Sequence, residues 1–114
     1  MVGGYNSRAN GAQSFIGGGG SNCVEGVNAT VVGGSNNYAT SNNTFIGGGY
    51  QNKVCNQFSA IVGGRENRNC HEYSTIAGGF SSRSLSAYAF IGGGTTNVVS
   101  GSAASVVGGC NNHT

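Results

Sequence analysis

Residues 44–50 read TFIGGGY: Thr44, Phe45 and Ile46 are followed at once by Gly47, Gly48 and Gly49, then Tyr50. Glycine loses more backbone freedom on folding than any other residue. Its place beside two strong strand formers needs a reason, and the reason is periodic. Gly-Gly pairs stand at 3–4, 18–19, 33–34, 48–49, 63–64, 78–79, 93–94 and 108–109, always 15 residues apart with no insertion or deletion. A repeat of fixed period is the first thing a sequence says about architecture.

The other columns keep the same phase. Ile16, Val31, Ile46, Ile61, Ile76, Ile91 and Val106 are all β-branched aliphatics. The column before them holds Phe15, Thr30, Phe45, Ala60, Thr75, Phe90 and Ser105; the one after holds Gly17, Val32, Gly47, Val62, Ala77, Gly92 and Val107. Three residues past each pair stand Ser7, Asn22, Asn37, Asn52, Asn67, Ser82, Asn97 and Asn112. Of the 23 glycines, all but Gly20 fall in a repeat column. They are punctuation of a fold and not linker.

Fifteen residues are too few for a helix pair or a propeller blade. They suit one coil of a parallel β-solenoid, with two strands of ~4–5 residues and two turns, stacked ~4.8 Å from the next coil. The expected architecture is all-β: a single domain over 1–114, a β-roll of about seven coils and ~35 Å long. The chain has no proline, and proline would remove ladder hydrogen bonds.

Strand alternation sets the faces. Ile16, Val31, Ile46, Ile61, Ile76, Ile91 and Val106 form the coil core, with the Val/Ala column of the second strand. The turn glycines are Gly18, Gly19, Gly33, Gly34, Gly48, Gly49, Gly63, Gly64, Gly78, Gly79, Gly93 and Gly94. A side chain at Gly48 or Gly49 is expected to clash, so Gly48→Val should cost more than Phe45→Thr. Asn22, Asn37, Asn52, Asn67, Asn97 and Asn112 form an inward ladder, read as stacked amides at positions tolerant of left-handed turns. Phe15, Val32, Phe45, Val62, Phe90 and Val107 make an outward apolar stripe, which marks an association surface. Self-association about an axis parallel to the rod is the expected use.

Catalytic chemistry finds little footing. There is no Asp; the acids are Glu25, Glu66 and Glu72, in three different columns, and His71 and His113 stand alone. Glycine-rich phosphate cradles open a helix, and none follows here. No C-x-x-C pair argues for zinc. No enzyme activity, metal or cofactor is implied. Net charge is +2 with 7% charged residues, too weak for a nucleic-acid partner. No run of ~18 apolar residues argues for membrane insertion, and MVGGYNSRAN (1–10) does not read as a signal peptide. The chain is either a whole small protein or a fragment of a longer one.

Arg8, Lys53, Arg68 and Arg83 share one outward column. They read either as an anion-binding ridge for acidic glycans or lipopolysaccharide phosphates, or as a solvated face that blocks lateral aggregation; the solvated face is the plainer of the two. Cys55 and Cys70 are one coil apart in one column, within disulfide range. Parallel in-register side chains orient poorly for a bond, so unpaired thiols are the simpler reading, beside a ladder disulfide or an inter-chain bridge.

With the columns laid out, SFIGGGGSN (14–22), TFIGGGYQN (44–52), AFIGGGTTN (89–97) and VVSGSAASVVGG (98–109) resemble the YadA-like head repeats of trimeric autotransporter adhesins and related repeats of phage and viral tail fibres. The resemblance covers the whole chain. It implies a left-handed parallel β-roll, three of which pack into a homotrimeric head. It also implies a non-catalytic structural and adhesive role at a cell or virion surface, with a host-surface glycan or matrix protein as partner. Coils in that family often have 14 residues, so the 15-residue period is a departure. The alternatives are an ice-binding solenoid, against which the mixed Phe/Thr column counts by roughening the face, and a self-assembling extracellular filament.

Overall fold

The computed structural model describes residues 5–114; the Gly3–Gly4 pair lies outside them. Each coil contributes one strand to each of two sheets. The first sheet contains β1 (Arg8–Ala9), β3 (Cys23–Val24), β5 (Tyr38–Ala39), β7 (Lys53–Val54), β9 (Arg68–Asn69), β11 (Arg83–Ser84) and β13 (Val98–Val99), in that order. The second contains β2 (Phe15–Ile16), β4 (Thr30–Val31), β6 (Phe45–Ile46), β8 (Ala60–Ile61), β10 (Thr75–Ile76), β12 (Phe90–Ile91) and β14 (Ser105–Val106). All neighbours are parallel and in register with the 15-residue period, as in Phe45↔Ala60 and Lys53↔Arg68. The molecule is a parallel β-solenoid of about seven coils, measuring 38 × 21 × 13 Å.

The strands are two residues long, shorter than the expected four to five. Left-handed residues cut the extended runs. Two columns carry them in every described coil: one runs Asn6, Ser21, Asn36 to Asn111, the other Gln13, Asn28, Asn43 to Ala103, all with φ of 52–58°. Interstrand bonding nevertheless continues past the strand ends. Gly47 N–H reaches Ile61 O at 3.0 Å, Tyr50 N–H reaches Gly64 O at 3.1 Å, and Cys55 N–H reaches Asn69 O at 3.0 Å. Stacking identical turns lets almost every coil satisfy its backbone through the next one.

The core is a thin double file. Ile16, Val31, Ile46, Ile61, Ile76, Ile91 and Val106 are buried, facing Val24, Ala39, Val54 and Val99 from the first sheet. One Ile and one Val per coil supply about 1.5–3 kcal/mol each, which is modest for 15 ordered residues. Polar groups therefore share the interior. Asn69 replaces the usual Val or Ala and is fully buried. Its Nδ2 donates to Ala60 O at 3.0 Å and Ser74 O at 2.9 Å, and its Oδ1 accepts the Ser74 hydroxyl.

The glycine pair divides into two different jobs. A Cβ at the second glycine of each pair from Gly19 to Gly94 collides with backbone of the next coil, and these residues have φ of 85–107°. A Cβ at the first, including Gly48, meets nothing within 4 Å. The clash expected at Gly48 is thus corrected: within the chain it belongs to Gly49, and what disfavours a side chain at Gly48 is its own backbone, at φ 158°.

Candidate functional site: ladder, faces and corners

The Asn column is a hydrogen-bonded spine. Asn52 Nδ2 donates to Gly48 O at 3.0 Å in its own coil and to Gly64 O at 2.9 Å in the next. Its Oδ1 accepts the backbone N–H of Asn67 at 3.0 Å. Asn22, Asn37, Asn67 and Asn97 repeat the pattern of Nδ2 bonds, and Asn112 keeps the bond to Gly108 O at 2.8 Å. This corrects the reading of the column as stacked amides in left-handed turns. The amides bond to backbone and not to one another, and the left-handed residue is the one before each Asn, such as Gln51 at φ 56°. A primary amide suits this place because it offers two donors and an acceptor at once.

Coil six breaks the spine. Ser82 accepts only the Asn97 N–H, at 3.4 Å through Oγ, and it has no amide to reach the flanking glycine carbonyls. Ser82→Asn is expected to restore the rung. Net hydrogen-bond gains of about 1 kcal/mol each predict stabilisation by roughly 1–2 kcal/mol and a Tm higher by about 5 °C. Thermal melts by circular dichroism check this, and an unchanged or lowered Tm contradicts it.

The outer face of the second sheet is apolar. Phe15, Phe45 and Phe90 are each about two-fifths exposed, Val32 and Val62 about half, and Val107 is 81% exposed. Large and small residues are matched across rows: each of those Phe residues is followed two places on by Gly17, Gly47 or Gly92, and the rows between carry Val or Ala there. Cε1 of Phe45 lies 3.3 Å from where a Gly47 Cβ would be. The Val62 carbonyl oxygen stands closer still to that point, so the backbone of the next coil and the ring together exclude a side chain there. The mixed column is less rough than it reads, because bulk moves within a row.

The outer face of the first sheet is polar. Lys53, Arg68 and Arg83 stand directly opposite one another in consecutive strands and are exposed. Arg8 is separated from them by Cys23 and Tyr38 in the same column. Burial, the largest cause, pushes the Cys23 thiol above its ordinary value; Arg8 opposes the shift and Glu25 reinforces it. That makes Cys23 a poor nucleophile.

Cys55 and Cys70 form a disulfide between neighbouring coils, with Cα atoms 4.5 Å apart. Unpaired thiols were the simpler expectation at this pair. In-register stacking itself brings the two Cα atoms inside the disulfide range. Cys23 is a buried free thiol and Cys110 an exposed one.

Two aromatic features were missed from sequence. Phe58, Tyr73 and Tyr88 occupy the second left-handed column at φ 54–58° and stack face to face, with centroids 5.3 Å apart. Bulky residues rarely adopt that conformation; stacking along the corner helps offset it. The signal was legible as Asn28 and Asn43 giving way to rings in the same column. On the other corner the Arg65 guanidinium lies 5.5 Å from both the Tyr50 and Phe80 ring centroids. Its ion pair with Glu66, at 3.7 Å and well exposed, adds little. The charges, rings and disulfide that depart from the plain repeat thus concentrate in residues 50–88.

Among the described residues there is no pocket and no cluster of three potential metal ligands, and no helix is long and apolar enough to cross a membrane. Compared with protein-family models and with curated proteins, the chain matches none.

Proposed function

We propose that this chain is a non-catalytic structural and adhesive segment of a homotrimeric surface fibre. Its second sheet faces the partner copies, with the left-handed coiling that the resemblance to YadA-like repeats implies. The observation that carries the reading is the outward apolar stripe of Phe15, Val32, Phe45, Val62, Phe90 and Val107, on a rod whose own core is thin. Unburied apolar stripes of this kind favour association. The first glycine of each pair fits the same picture: Gly18, Gly33, Gly63, Gly78 and Gly93 have open space and no positive φ, and close approach of a second backbone is a reason for glycine. The Cys55–Cys70 disulfide suits an oxidising location such as a cell or virion exterior.

Sedimentation equilibrium tests the proposal. A trimer is expected, and Phe45→Glu together with Phe90→Glu should shift it to monomer by placing charges in the interface. A stable monomer overturns the reading. A monomer showing thermal hysteresis speaks for ice binding, and concentration-dependent fibres speak for a filament.

A further inference from the structure

We propose that the outer face of β7, β9 and β11 binds a linear acidic polysaccharide laid along the rod, one anionic group per cation. The inference deepens the adhesive reading above and rests on it for biological setting, but its physical basis is separate. Lys53, Arg68 and Arg83 are direct ladder partners, so their side chains leave the sheet at intervals of about 4.8 Å. Like charges directly opposite one another destabilise a sheet. The solenoid does not need cations there, since the same column accepts Cys23, Tyr38 and Val98 in other coils. Nor are the charges neutralised internally: the one ion pair among the described residues uses Arg65 and Glu66. An external anion turns this repulsion into attraction.

Geometry selects the kind of anion. The cations stand in single file, and the Cys55–Cys70 disulfide ties the Lys53 and Arg68 strands together two residues further on. Ladder pairing and this staple hold the strand spacing before any ligand arrives, which lowers the ordering cost of binding. A polymer of singly charged sugars carries one carboxylate per ring at roughly the strand spacing, and although the chain twists, the long Lys53, Arg68 and Arg83 side chains can reach round it to successive carboxylates. Arg68 and Arg83 can each take a carboxylate through two N–H donors. Tyr38, exposed and paired with Lys53, extends the row with a ring and a hydroxyl.

Nucleic acid fits less well. Phosphates in one strand of a duplex repeat about every 3.4 Å, out of step with the ladder. Single strands need open aromatic faces for their bases, whereas the Phe58–Tyr73–Tyr88 rings stack on one another.

The test uses fluorescently labelled oligogalacturonate, which carries one carboxylate per sugar, titrated into the intact chain at low and physiological salt. Hyaluronan fragments, with a carboxylate on every second sugar, neutral dextran and a single-stranded oligonucleotide serve as comparison probes. Oligogalacturonate is expected to bind in a salt-sensitive way, several-fold tighter than hyaluronan, with dextran inert. The triple variant Lys53→Gln, Arg68→Gln, Arg83→Gln should lose at least tenfold in affinity, while Arg8→Gln, in the same column but remote, should change it less than twofold. Sedimentation of each variant reports assembly independently, so a protein that binds without forming trimers fails the fibre reading alone. No binding at low salt, an unaffected triple variant, an equal loss in Arg8→Gln, or tighter binding of the oligonucleotide each overturns the proposal. So does a triple variant that only aggregates while still binding the glycan.

Discussion

Gly49→Val is expected to abolish cooperative folding of the central coils, while Phe45→Thr and Gly63→Ala leave the isolated chain close to wild type. Gly49 sits at φ 97°, in the left-handed region where a β-branched residue is strongly disfavoured. A Cβ there collides with the Gly64 carbonyl oxygen and falls 2.7 Å from Asn52 Nδ2. That carbonyl already accepts Tyr50 N–H at 3.1 Å and Asn52 Nδ2 at 2.9 Å, so moving it breaks a rung of both the ladder and the spine. The combined cost is expected to exceed about 4 kcal/mol, the range reserved for backbone strain and broken buried networks. Phe45→Thr should cost about 1 kcal/mol in the monomer, because the ring is 38% exposed and Thr30 and Thr75 fill the same column. Urea melts of the three variants decide it. Equal losses at Gly63 and Gly49 would overturn the division of labour within the pair.

Asn52→Ala should be the next most damaging change, at about 3–5 kcal/mol. It leaves the Gly48 carbonyl and the Asn67 N–H without their partners, and each buried group stranded in this way costs about 1–3 kcal/mol. The lost donor to Gly64 O matters less, because Tyr50 N–H still serves that oxygen. Asn52→Ser should fall between wild type and Asn52→Ala, since Ser82 already holds the equivalent rung of coil six with one bond. Chemical denaturation at fixed redox state measures both. An Asn52→Ala loss no larger than that of exposed Gln57→Ala would remove the spine as a source of stability.

Much of the architecture was legible because the period is so strict. Eight in-phase glycine pairs and a column of Ile and Val from Ile16 to Val106 leave little room for another reading of the chain. The strand lengths were not legible, because they depend on left-handed residues at places such as Gln51 and Phe58, and many residue types occupy those columns. The basic column was visible as four residues, but ladder order shows three together and Arg8 apart. The aromatic corner was visible only as a column in which Asn28 and Asn43 give way to Phe58, Tyr73 and Tyr88; their stacking depends on the left-handed backbone at those positions.

By itself, then, the sequence determined the repeat, the parallel in-register stacking and the inward Ile/Val file. These follow from local alternation and a fixed spacing, which need no knowledge of how the corners turn. Tertiary structure decided which glycine of each pair is sterically required, which backbone atoms the asparagines serve, and that Cys55 and Cys70, already neighbours in one column, are bonded. Those outcomes depend on the path of the chain between one residue and its counterpart 15 places later. That path is set by turn dihedrals and interatomic approaches, and the identities of the residues alone do not specify them.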